Sequence, residues 1–137
     1  MYTQKYTITG KNISVASTVT VGVNQTTGGV KNGAIPLGGD CDAIAVQVSP
    51  VGSALDAFVL QGRVLDTDAF VTMASSVWGT ATAAMPVTTG DVAATADGAT
   101  HLFIYDVRGL DAVRFQASAA LNPITTLTID VRARYAI

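Results

Sequence analysis

The sequence predicts an all-β fold: an antiparallel β-sandwich of about eight strands, jelly-roll-like or Ig-like, with little or no helix. Three observations carry that expectation. Near the C-terminus Leu127, Ile129, Val131, Ala133 and Tyr135 alternate with Thr126, Thr128, Asp130, Arg132 and Arg134, the period-two signature of a strand with one core face and one polar face. The apolar runs are separated by turn chemistry rather than by helical connectors, for example Gly38-Gly39-Asp40, Asp66-Thr67-Asp68 and Leu121-Asn122-Pro123. Finally, the residues that clothe exposed helices are scarce. All 10 acidic residues are aspartate and lysine occurs only at 5, 11 and 31, whereas Val, Ile and Thr, which suit a pleated backbone, abound.

In chain order, Tyr2 to Ile8 is a weak strand candidate. A long strand is expected from Asn12 to Val23, with Ile13, Val15, Val19, Val21 and Val23 on one face, followed by a short run from Ala34 to Leu37. Further strands are expected at Asp42 to Ser49, Leu55 to Leu65, Ala69 to Ala74, Thr100 to Val107, Asp111 to Ser118 and Thr125 to Tyr135. The segment 75–99, rich in Ala, Thr and Gly, has little periodicity. It reads as an irregular edge strand near Thr80 to Val87 or as an excursion ordered by a partner.

A chain of 137 residues and 14.0 kDa fits one domain. The division expected is an arm at 1–11 and a single sandwich at 12–137 carrying the excursion at 75–99. In the arm Tyr2 and Tyr6 alternate with polar residues ahead of Gly10, a plausible hinge, so the arm is expected to lie on a neighbouring chain and to leave the domain's stability nearly unchanged when removed.

Composition excludes several function classes. A net charge of -2, a pI near 5.0 and no basic run argue against nucleic acid. Neither a signal peptide nor an apolar stretch of about 18 residues is present, so synthesis in the cytosol without a membrane span is expected. The single Cys41 excludes an intrachain disulfide and a Cys-based metal site, and reads as a small semi-buried thiol.

The only histidine, His101, reads as a surface or interface imidazole rather than a catalytic base. Asp40/Asp42 and Asp66/Asp68 have the spacing of calcium loops but lack the remaining ligands, which leaves turn chemistry. No catalytic residue, metal or cofactor is therefore expected.

What remains points to surfaces. Charged residues are only 13 % of the chain and hydrophobic residues 49 %, a composition poorly defended against association. The strand from Thr100 to Val107 is apolar on both faces, which nominates Phe103 and Tyr105 for an oligomer contact. Trp78 and Met85, in the irregular segment, are candidates for anchoring a protein or stacking on a sugar. If the last two strands pair across Asn122-Pro123, then Arg114, Arg132 and Arg134 share one outward patch suited to a carboxylate-bearing partner. Tyr2 and Tyr6 of the arm complete the candidate interface.

The run LFIYDVRGLDAVRFQASAALNPITTLTIDVRARYAI, about a quarter of the chain, resembles the C-terminal part of small β-sandwich structural proteins of tailed phages. The likeness rests on the Asp106-Val107…Gly109-Leu110 turn, the Ala112-Val113-Arg114-Phe115 strand and the final strand in which Thr126 and Thr128 precede Arg132 and Arg134. It implies a virion component made in the host cytoplasm, first a head decoration or cement protein that binds the major capsid protein. Such proteins commonly form trimers and use N-terminal arms. A tail or fibre component, or a glycan- or receptor-binding module, is the alternative.

Overall fold

The strongest sequence signal becomes one of the two longest strands. In the structure, a computed structural model that describes residues 2–15, 17–77, 80–83, 87–90 and 100–135, the final strand runs from Ile124 to Tyr135 and buries Leu127, Ile129, Val131, Ala133 and Tyr135. Eleven strands are found among the described residues: β1 (Tyr2–Ile13), β2 (Val19–Thr20), β3 (Ile35–Pro36), β4 (Cys41–Val51), β5 (Leu55–Arg63), β6 (Val71–Val77), β7 (Thr80–Ala83), β8 (Val87–Gly90), β9 (His101–Asp106), β10 (Ala112–Ala119) and β11 (Ile124–Tyr135). They form two antiparallel sheets, one in the order β1-β11-β4-β9-β8 and one in the order β2-β10-β5-β6-β7, with β3 also paired to β10.

The pairings are nested: β1 with β11, β2 with β10, β4 with β9 and β5 with β6. The chain is in effect one long hairpin ribbon, rolled so that β11 also meets β4 and β10 also meets β5. This is jelly-roll connectivity, and it closes one of the two architectures the sequence left open. Inward side chains of the two sheets meet in one core, where Phe58 stacks on Phe115 with centroids 5.3 Å apart and on Phe103 at 5.7 Å.

Three expectations are corrected. Residues 2–11 are not an arm but most of β1, paired along its length with β11, with Tyr6 and Ile8 in the core. Gly10 is no hinge there: a Cβ would stand 2.7 Å from Val21 Cγ1, so the residue is small because the chain passes close over it.

The long strand expected from Asn12 to Val23 does not exist. Asn12 adopts φ 53°, in the left-handed region that asparagine tolerates, and breaks the alternation so that both Gly10 and Ile13 are buried. The chain then crosses to the other sheet, where Val19 and Thr20 pair with β10, and Val15 and Val23 are left exposed.

The third correction concerns β10 and β11, which lie in different sheets and do not pair. β9, β10 and β11 alternate between the two sheets, so the Leu121-Asn122-Pro123 connection crosses the sandwich. In the segment 75–99 the end of β6, β7 and β8 are described, and the expected edge strand is realised in part as β7. The rest of that segment, including Trp78 and Met85, lies outside the described residues.

Candidate docking surface

Alternation along each strand of the first sheet sends one set of side chains inward and the other to a broad outer face. Pair register places these outward residues in rows: Thr7, Asp130, Gln47 and Leu102; then Lys5, Arg132, Ala45 and Ile104; then Thr3, Arg134, Ala43 and Asp106. The two alanines leave a shallow trough along β4. A depression of about 360 Å³ beside it is lined by Lys5, Thr7, Ala45, Gln47, Leu102, Asp130 and Arg132, and Leu102 is 46 % exposed there.

Part of the charge on this face is neutralised locally. Thr7 Oγ1 donates to Asp130 at 2.9 Å, and Arg134 Nη2 lies 3.6 Å from Asp42 Oδ2. At one end Arg108 donates through Nε and Nη2 to both oxygens of Asp106, and this hydrogen bonding holds the Asp106 carboxyl below the usual range. Lys5 and Arg132 differ. They stand directly opposite each other on β1 and β11, and neither makes an ion pair among the described residues. Like charges in register repel, so this arrangement costs the isolated chain free energy that an external carboxylate would recover.

The residues nominated from sequence are dispersed. Arg132 and Arg134 lie exposed on this face, as their alternation requires. Arg114 is on the opposite side of the molecule, on the outer face of the second sheet. There it donates to Gln61 Oε1 at 2.6 Å and covers the Phe70 ring at 4.5 Å, while Arg63 covers the same ring at 4.7 Å and pairs with Asp111 at 3.1 Å. Arginines 114, 132 and 134 therefore form no common patch, because the strands that carry them are in different sheets.

Phe103 and Tyr105 are also reassigned. Both are buried in the chain's own core, their rings 5.8 Å apart, so the surface of β9 is carried by Leu102 instead. His101 is likewise buried rather than a surface imidazole. Tyr6 is buried, donating its hydroxyl to Gln4 Oε1 at 2.6 Å, and Tyr2 is 47 % exposed and stacked 4.8 Å from Tyr135.

Sequence reasoning missed Lys5, Gln47, Ala45 and Leu102 as a set. Leu102 was visible as the second apolar face of its strand; the others required knowing that β1 and β4 flank β11. At one end of the second sheet a separate apolar group, Val64, Leu65 and Val71, is exposed. No group of three or more metal-ligating side chains gathers among the described residues.

No protein-family model matches the chain, and no curated protein does. Among solved structures it is similar to an SPBc2 prophage-derived protein, YomS, at 10 % identity and a TM-score of 0.50, covering 97 % of this chain and 95 % of that one. The likeness shows a shared fold. A chain from Bacillus endospore appendages that form disulfide-linked pili aligns at 14 % identity and a TM-score of 0.40, covering 98 % of this chain and 88 % of that one.

Proposed function

We propose that this chain is a non-enzymatic structural component of a phage particle, a capsid decoration or cement protein that stabilises the head lattice. The observation that carries this reading is the outer face of the first sheet, where Lys5 and Arg132 stand without ion pairs beside a trough of small residues and the exposed Leu102. A guanidinium fork and an ammonium beside apolar surface suit a protein partner that presents carboxylates, here the major capsid protein. The prophage origin of YomS, which shares the fold, and the likeness of residues 102–137 to tailed-phage structural proteins support the same reading.

In this reading the protein is made in the host cytoplasm and resides in the virion. Its copies associate as a homotrimer through the exposed Val64, Leu65 and Val71. A net charge of -2 disfavours nucleic acid as the partner.

Electron microscopy of the parent particle tests the location, with density on the head surface expected; confinement to the tail would favour the tail or fibre alternative. Charge reversal at Arg132 and Arg134 tests the face. Capsid binding should fall and lose its salt dependence while the fold survives. Unchanged binding by the folded double variant would remove this face from the interface.

A further inference from the structure

The free edge of β1 is closed along one half and open along the other. Gln25 closes it: its Nε2 donates to the Thr7 carbonyl at 2.7 Å and its Oε1 accepts from the Thr9 N–H at 2.9 Å. One side-chain amide thus supplies a donor and an acceptor where a neighbouring strand would stand. Gln25 is itself fixed, its N–H donating to the Gly22 carbonyl at 2.8 Å and its carbonyl accepting from Gly33 at 3.3 Å.

Backbone direction alternates along a strand, so the groups that face the same way as those at Thr7 and Thr9 are the odd-numbered ones. These are the N–H and C=O of Thr3 and Lys5 and the N–H of Thr7. No hydrogen-bond partner meets them among the described residues. Such a row is a template for an added strand.

The flanking side chains define what fits. On the outer face Lys5 lies against Arg132 with no ion pair. On the other face Tyr2 is exposed and stacks on Tyr135 at the open end. We propose that the open half of β1 binds an extended segment of a partner protein by strand addition, with a carboxylate side chain set opposite Lys5 and apolar side chains beside Tyr2. Residues directly opposite across such a pair have Cβ atoms about 4.5–5.5 Å apart, which brings a carboxylate within reach of Lys5 and relieves its repulsion with Arg132.

A second copy of this chain is the poorer occupant. Pairing two open edges about a two-fold axis centred on Lys5, the register that uses Thr3 through Thr7, sets lysine against lysine. The inference goes beyond the capsid reading, since it specifies the form and charge of the bound segment whatever particle that segment belongs to.

The test is amide hydrogen exchange of the intact chain with millimolar capped peptide Thr-Val-Asp-Val-Asp-Val-Thr, and with its counterpart carrying lysine at both aspartate positions. The acidic peptide should slow exchange at Thr3, Lys5 and Thr7 by about tenfold, with no change at Gln4 and Tyr6, whose amides already face β11. Raising the salt should weaken the effect, and Lys5→Glu should reverse the preference between the two peptides. Gln25→Ala should extend the slowed stretch to Thr9. No slowing with the acidic peptide, or equal slowing with both peptides, would overturn the proposal. So would slowing that grows with protein concentration in the absence of peptide, which would make a second copy the occupant.

Discussion

Cys41, Tyr6 and Tyr135 gather where β11, β1 and β4 end together, and burial pushes all three acids up from their ordinary values. The Cys41 thiol is enclosed between the carbonyls of Arg134 and Ala43, 3.4 and 3.5 Å from its Sγ. In the unfolded chain a thiol loses its proton near pH 8.5 and a phenol near about 10, earlier than these groups do when folded. The folded state then holds protons that the unfolded state has released, so stability is fully present below about pH 8.5 and declines as pH rises toward the folded-state values. Denaturant midpoints should therefore fall between about pH 8.5 and 11, and alkylation of Cys41 near pH 8 should track global unfolding. Rapid alkylation of the native protein would show the thiol to be accessible. At this scale the sequence reads a small semi-buried thiol where the structure buries it fully, and it does not reveal that two tyrosines 129 positions apart share its site, because only the β1–β11 register brings them together.

At the scale of elements, legibility followed the regularity of the alternation. The strands realised as β4, β5, β9, β10 and β11 were placed within a few residues of their observed bounds, because each keeps one face in the core throughout its middle. β1 was under-read because its inward positions include Tyr2, Gln4 and Gly10, a polar and a small residue among them, so no clean apolar face is visible without its partner. The stretch after it reads as one strand in sequence, since valines at period two do not disclose a left-handed Asn12. Asn32-Gly33, with φ of 50° and 82°, is the two-residue turn closing the Lys31–Ala34 bridge, a pairing of residue types that favours such hairpins and is a local signal the sequence does carry. As a paired strand, β1 carries part of the domain's stability. Burial of Tyr6 and Ile8 contributes about 1.5–3 kcal/mol each, and their removal also strips the ladder from β11. Deleting residues 1–9 should lower the unfolding free energy in urea by about 5 kcal/mol or more, a large share of a typical domain's stability. An unchanged midpoint would restore the arm.

For the whole molecule, the nested ribbon means that most pairings wait on distant chain, with β5–β6, β6–β7 and β8–β9 the local ones among the described residues. Thr7 and Asp130, bonded side by side, are 123 positions apart. Topologies dominated by such contacts fold on the order of milliseconds to seconds. The same nesting explains why the candidate interface was only partly readable: its residues come from β1, β4, β9 and β11, and no local pattern announces which strands will be neighbours. It also fixes how the molecule answers a pull. Tyr2 and Tyr135 lie side by side at one end of the first sheet, because β1 and β11 run antiparallel in full register. Tension applied between those two points separates the strands one pair at a time, as a zip opens, and each step works against few hydrogen bonds. Tension between Tyr2 and Ile124, at opposite ends of the same two strands, loads the whole ladder in shear. Single-molecule stretching should therefore find a much lower rupture force for the first attachment than for the second. A scaffold wired this way resists load along its strands when it is gripped at opposite ends of the β1–β11 ladder, and yields when it is pulled apart at the single end where Tyr2 and Tyr135 meet.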